Sequence, residues 1–452
     1  IAINSPGQFR SCVDTAICRS SSWIREQVVR SKPSKFGRGF CCGVLLLSGL
    51  LLAATDARSS PATEAVAGCR TEAPAPKHHR ASAVDGVTLT PPSNGAYIGL
   101  YSIGTIPEDR IRFTAKSGHR PAIVFTFHDW VSDDDWTASS PHFRTFTDPL
   151  ESSLLSPLQL AEQVRSEGGV LAVAWAIQCC DWESHLFWYG FRKPTVTVDR
   201  LLRGDFDSYI TSVARQIKAY GHPIMLTLFS EFNYQGMMGF GKQGGTRLDD
   251  VDHVCRLYGD PTWPDGPERI RDAFIYVIDR FRREEVRNVT WFMYAGSHYM
   301  NPRHEDYSPW LHPQYFYPGD DYIDWVGQSA YFIDPLAVPK LRQQELATSV
   351  AEALGPGYAA WGAVTNRPLF LPEFGVLGDK TSSRARVIEE VFRDVLPQFP
   401  RVQAITLADF KIAEDYYEVP RFGTFEDETG AWKRAVRENP RYLKQASFKG
   451  GE

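Results

Sequence analysis

Apolar residues along the chain gather into short runs separated by amphipathic stretches. The runs are Tyr97–Tyr101, Ala122–Phe127, Val170–Trp175 and Pro223–Phe229, then Val289–Tyr294, Ile323–Gly327, Pro368–Leu371 and Val402–Leu407. Several are almost continuously apolar, as expected of parallel strands covered on both faces. Between them apolar positions recur at helical spacing, with Ile210, Val213 and Ile217 inside 206–220 and Phe274, Val277, Ile278 and Phe281 inside 270–283. Further helices are expected over 343–354 and 383–396. Strands alternating with helices across residues 96–447 predict a (β/α)8 TIM barrel, an α/β fold. A doubly wound open sheet shares that alternation. No GxGxxG or GxxxxGK[ST] follows an early strand, so its nucleotide-binding forms lose support.

The first ninety residues follow a different pattern. An apolar run from Gly43 to Ala54 stands behind Lys35 and Arg38 and ahead of small residues up to Ala57. It falls short of the roughly 20 apolar residues that span a bilayer. Basic flank, short apolar stretch and small residues predict a secretory signal peptide within a leader over 1–57, and hence a secreted or periplasmic protein. An uncleaved anchor is the alternative. Residues 58–95 are rich in Pro, Ala, Ser and Thr and lack periodic apolar positions, which predicts a disordered linker.

Composition narrows the partners. The 452 residues carry a formal charge of -5, with 23% charged side chains, so there is no basic footprint for nucleic acid or anionic lipid. Of the 8 Cys, Cys12, Cys18, Cys41 and Cys42 fall in the leader, leaving Cys69, Cys179, Cys180 and Cys255. A bridge from Cys255 to Cys179 or Cys180 and buried free thiols are both open. There is no CxxC, HxH or HExxH, so neither metal nor cofactor is expected. The 13% aromatic content suits a thick core or a cleft that stacks on sugar.

In a barrel the chemistry sits where strands end at the carboxyl face. That rule selects His128, Asp129 and Trp130 after the second strand and Trp175, Asp181 and Trp182 after the third. The fourth brings Ser230, Glu231, Phe232 and Asn233, and the fifth Trp291 and Tyr294. Ser329 and Tyr331 come from the sixth, Glu373 from the seventh and Asp409 from the eighth. Glu231 and Glu373 each follow a strongly apolar strand, where a charge is costly unless it faces a polar cleft. Strands four and seven lie nearly opposite around the ring, so the two carboxyls can converge. Such a pair is the minimal equipment for glycoside hydrolysis, one group held protonated and the other ionised. Two unrelated buried glutamates, each paired with an arginine, is the competing reading.

Tyr220–Asn233, the Gly204–Ile210 segment before it and Asn288–Trp291 resemble, in that arrangement, the acid/base strand, the helix preceding it and the start of the fifth strand of glycoside hydrolase family 26, the β-mannanase family. Tyr317–Tyr331 is similar to the sixth strand and its approach, and Pro368–Gly375 to the nucleophile strand. The resemblance implies a retaining mechanism with Glu231 as acid/base and Glu373 as nucleophile. It implies that Tyr331 hydrogen-bonds the nucleophile, that Tyr294 is a sugar-stacking ring, and that Asn233, His128, Trp130 and Trp175 contact substrate. Asp320, Asp321 and Asp324 are read as shaping the loop into strand six. The family's His before the acid/base Glu is Ser230 here, its Trp-containing loop becomes Tyr234–Phe240, and its eighth-strand aromatic is replaced around Leu407 to Asp409. The implied protein is a monomer acting on polysaccharide or oligosaccharide, first of all by internal cleavage of β-1,4-mannan. Hydrolysis of β-glucan or β-xylan, and a carbohydrate-binding barrel without turnover, are the alternatives. Asn288-Val-Thr290 is a formal glycosylation sequon, read as coincidental.

Overall fold

The computed structural model describes residues 86–102, 106–132, 135, 138–150, 153–177, 196–233, 266–304, 307, 311–333, 347, 349–377, 385–409, 412–413, 418–419 and 426–449. The chain divides into two units, 1–69 and 70–452, and every described residue lies in the second. The leader, the four cysteines of the barrel and linker, Asp181 and Trp182 are therefore outside the described residues.

The apolar runs become β1 Ala96–Tyr101, β2 Ile123–Phe127, β3 Val170–Ala174, β4 Ile224–Thr227, β5 Val289–Ala295, β6 Trp325–Gln328, β7 Leu369–Leu377 and β8 Val402–Ala408. Each pairs in parallel with the next, and β8 returns to β1 with Ala404 opposite Tyr97, so the sheet closes into a barrel. Closure removes the open-sheet alternative and leaves no exposed strand edge in the ring. After Gln328, β6 is interrupted at Ser329 and resumes as Ala330–Ile333, which pairs with the second half of β7.

Helices cover the outside: α1 Ile106–Ser117, α2 Pro157–Ser166, α3 Asp207–Tyr220, α4 Gly266–Arg283, α5 Val350–Gly362, α6 Ala385–Glu389 and α7 Glu426–Trp432. Their ends are written locally. Ser156 and Gln159 form a reciprocal capping box at α2, and Gly221 closes α3 in the left-handed conformation. Between β5 and β6 the described residues hold 3-10 turns, among them His298–Met300 and Pro313–Tyr315. The helix expected over 343–354 begins instead at its Ser349 cap and runs through Pro356 to Gly362. Tertiary contact outweighs the proline, because the buried Trp361 donates its indole N–H to Gly327 O at 2.8 Å.

Aromatic side chains on alternate positions fill the barrel. Phe125, Phe292 and Phe370 meet edge to face, with Phe292 and Phe370 centroids 5.4 Å apart, and Tyr294 stands over Phe125 at 5.9 Å. The amino end is closed by residues expected to be linker. Thr88–Leu89 pairs with Phe448–Lys449, Leu89 N–H donates to Thr290 Oγ1 at 2.8 Å, and Trp325 Nε1 donates to Leu89 O at 3.2 Å. The contacts that order this stretch lie 201 residues or more away in sequence, so its own composition does not reveal them. Because the Leu89 side chain is buried, Leu89→Ala should lower unfolding free energy by about 2–4 kcal/mol in urea titration; an unchanged midpoint would show that this end is not part of the folded barrel.

Candidate active site

Both glutamates reach the carboxyl end of the barrel through irregular backbone. Glu231 sits in the turn beyond β4 with φ of 42°, a left-handed conformation unusual for a residue with a Cβ. Its neighbours fasten that turn to β5. Phe232 N–H donates to Tyr294 O at 3.1 Å, and Asn233 exchanges bonds with Gly296, accepting from its N–H at 2.7 Å and donating to its carbonyl at 3.3 Å. Glu373 lies inside β7 at a bulge. Ile405 is opposite Leu371 and Leu407 opposite Phe374, so Pro372 and Glu373 together face Thr406. Pro372 has no N–H to offer the ladder, and the Thr406 hydroxyl donates to its carbonyl instead.

The two carboxyls are buried but differently dressed. Tyr294 Oη lies 2.8 Å from Glu373 Oε1, and Tyr331 donates to Oε2 at 3.0 Å. Glu231 Oε1 accepts from the Ser329 hydroxyl, while its Oε2 is buried with no hydrogen-bond partner among the described residues. Burial pushes both proton affinities above the ordinary carboxylate range. The charge of Glu373 pushes Glu231 further up and its serine pulls it down, whereas two phenols pull Glu373 down. The proton affinity of Glu231 is therefore raised above that of Glu373. Tyr101, buried at the end of β1, lies in the field of both carboxyls, which adds to the upward push of its own burial.

Two glycines make room for this arrangement. A Cβ on Gly296 would stand 2.7 Å from the Tyr299 ring and 3.3 Å from the Glu231 carboxyl carbon. One on Gly375 would meet two Tyr331 ring carbons at 2.8 Å. Gly296, Tyr299 and Tyr101 were not singled out by the sequence. The signal available for Gly296 and Tyr101 was only their place at or just past a strand's carboxyl end.

Apart from Tyr294, the remaining candidates are committed to other contacts. Trp130 and Trp175 are 0% exposed. Trp130 Nε1 donates to Trp175 O at 3.2 Å and Trp175 Nε1 to Tyr209 Oη at 2.9 Å, within an aromatic cluster against α3. His128 is buried, with Nε2 2.9 Å from Thr145 O and Nδ1 facing Arg144, and burial and that guanidinium push its pKa down to about 3. It is a neutral latch on the 144–146 segment. Asn233 spends its amide on Gly296 and Leu311 backbone. Tyr294 is buried with its hydroxyl, not its face, turned to the chemistry. Asp324 accepts from Trp291 N–H at 2.8 Å, and Asp320 accepts from Tyr317 and Thr365, so both hold the approach to β6. Asp409 is buried and paired with Arg112. The sequon's Asn288 is buried and donates to Ile217 O and His222 O, so its amide is already engaged. Among the described residues no group of His, Cys, Asp and Glu could hold a metal ion, and no helix is long and apolar enough to cross a membrane.

Fold and site together define a (β/α)8 barrel with a buried carboxyl pair of unequal proton affinity at its carboxyl end. No protein-family model matches the chain. Among curated proteins it is similar to Endoglucanase H of Acetivibrio thermocellus, 24% identical over 324 residues that make up 69% of this chain and 27% of that protein. The chain thus spans about a quarter of that relative's length. Similar solved structures include the GH26 domain of a Prevotella bryantii endo-beta-mannanase/endo-beta-glucanase, 12% identical with TM-score 0.46, covering 78% of this chain and 91% of that one. A Bacillus subtilis mannanase is 13% identical with TM-score 0.45, covering 78% and 87%. A beta-mannanase from a symbiotic protist of the termite Reticulitermes speratus is 12% identical with TM-score 0.44, covering 79% and 96%.

A carboxyl whose folded pKa stands above its unfolded one holds more protons when folded. Its contribution to stability is full below the unfolded carboxylate range and is lost as pH rises through the folded value. Glu231→Gln, which is neutral throughout, should therefore match wild type in urea near about pH 4 and exceed it by roughly 0.5–2 kcal/mol near about pH 9. A variant less stable than wild type at the higher pH would show that Glu231 is not the protonated partner.

Proposed function

We propose that the protein is a retaining glycoside hydrolase, a divergent relative of family 26, that cuts β-linked polysaccharide internally. The observation that supports this reading is the unequal dressing of the two buried glutamates, with two phenols on Glu373 and one hydroxyl on Glu231. In this reading Glu231 gives its proton to the glycosidic oxygen as Glu373 attacks the anomeric carbon. The leaving sugar departs as an alcohol and a covalent glycosyl-enzyme remains. Glu231, now ionised, takes a proton from water, whose oxygen attacks the same carbon and releases Glu373. Tyr294 and Tyr331 hold the attacking carboxylate in its charged form, and the bare Oε2 of Glu231 is the atom left free to meet the leaving oxygen.

The ordered segments resembling the mannanase family make β-1,4-mannan the first substrate to test. The relative named an endoglucanase, and Ser230 where that family has His, favour β-glucan as the second. The same reading has the protein act as a monomer, exported by the leader over 1–57, with a linker that ends where the chain packs at Gly86.

Digestion of mannan, mixed-linkage glucan and β-1,3-xylan with product analysis selects the substrate, and proton NMR of the first product should show the starting anomer. Inversion would remove the double-displacement mechanism. Binding without cleavage of any of them would leave a carbohydrate-binding barrel. Glu373→Ala should lose turnover by about 10⁴-fold or more, with azide restoring part of it as a glycosyl azide of inverted configuration. Wild-type-like hydrolysis by that variant would rule out the nucleophile assignment. Glu231→Ala should retain activity on substrates with good leaving groups far better than on polysaccharide, and equal losses on both would count against it as the acid.

A further inference from the structure

Tyr294 Oη stands between two oxygens, 2.8 Å from Glu373 Oε1 and 2.9 Å from Ser230 Oγ. A phenol has one proton to give. An ionised carboxylate is the stronger acceptor, so that proton goes to Glu373 and the bond to Ser230 must run the other way. We propose that Ser230 is a positioning residue whose hydroxyl donates to Tyr294 Oη, committing the tyrosine proton to Glu373 Oε1 and so fixing the charge on that carboxylate.

A chain of hydrogen bonds ending on an anion polarises along its length, each donor strengthening the next. The Ser230 bond lowers the phenol's proton affinity, against burial and the charge of Glu373, which raise it. The relay also joins the two halves of the site. Ser230 directly precedes Glu231 in the left-handed turn, and Phe232 N–H holds that turn to Tyr294 O. One short segment thus carries the protonated carboxyl and, through Tyr294, a hand on the ionised one. The serine hydroxyl reaches the tyrosine directly, at 2.9 Å. Among the described residues, the titratable groups facing Glu373 are Tyr294 from β5, Tyr331 from the resumed β6, Glu231 from the turn beyond β4 and Tyr101 from β1.

The kinetic consequence rests on Glu373 being the nucleophile, but the relay itself does not. The test therefore reads the Glu373 carboxyl directly, by 13C NMR titration of full-length protein labelled at glutamate and assigned with Glu373→Gln. Ser230→Ala should raise the apparent pKa of Glu373 by about half to one unit, and the acidic limb of the kcat/KM profile should move with it. Ser230→Thr, which restores a hydroxyl, should return both to the wild-type position, while Ser230→Val, of the same shape without one, should not. In a Tyr294→Phe background Ser230→Ala should add no further shift. An unmoved carboxyl in Ser230→Ala, or equal shifts in the Thr and Val variants, overturns the relay. If Ser230→Ala fails to fold, the Thr and Val pair decides. Should the carboxyl shift as expected in a protein that cleaves no β-glycan, the relay stands and the hydrolase reading falls.

Discussion

Two carboxyl groups buried within each other's field cannot both be ionised without a large electrostatic cost. The carboxyl end of this barrel is organised around that constraint. It is met by giving one glutamate two phenolic donors and the other a single serine and a bare oxygen, so that a single proton has a definite home. Burial of Glu231 and the charge of Glu373 favour that home. The barrel's own aromatic filling, Phe125, Phe292 and Phe370, lines the space beneath and is topped by Tyr294.

Regular strands would not present the groups this way. The bulge at Pro372 and Glu373 and the left-handed turn at Glu231 are departures from ideal backbone, and each is held by bonds that a regular ladder would not need. Thr406 secures the first, while Asn233 and Gly296 secure the second. Local irregularity of this kind persists only when its surroundings over-determine it. Asn233 thus has its amide committed to the scaffold, although its place two residues after Glu231 made it a natural candidate for ligand contact.

The barrel was legible because eight apolar runs alternate with amphipathic stretches, and the glutamates because each ends or interrupts an apolar run. The rest depended on which way a side chain faces. Trp175 and Trp130 follow strands, as Glu231 does, but their rings turn outward to Tyr209 on α3. A position just past a strand end does not settle that choice, and charge does not settle it alone, since Asp409 follows β8 and turns to Arg112 on α1. Tyr294 shows the same limit in another form. Its hydroxyl meets Glu373 at the bulge of β7, and no local pattern announces a bulge beyond the proline beside it. Residues 86–92 lacked periodicity of their own, and their order comes from Thr290 and Trp325 far along the chain.

Tyr331 lies in the resumed strand and Ser329 at the break just before it, two residues apart, and their hydroxyls go one to Glu373 and the other to Glu231. The rise along a strand is about 3.3 Å per residue. A single stretch of backbone therefore acts as a gauge laid across the site, touching the two glutamates at points a fixed pitch apart. The gap between the carboxyls answers to this third strand as well as to β4 and β7 that carry them. Drift in the sequences of β4 and β7 can be absorbed while the gauge keeps its length, whereas one residue gained or lost between 329 and 331 would turn one of the two hydroxyls away.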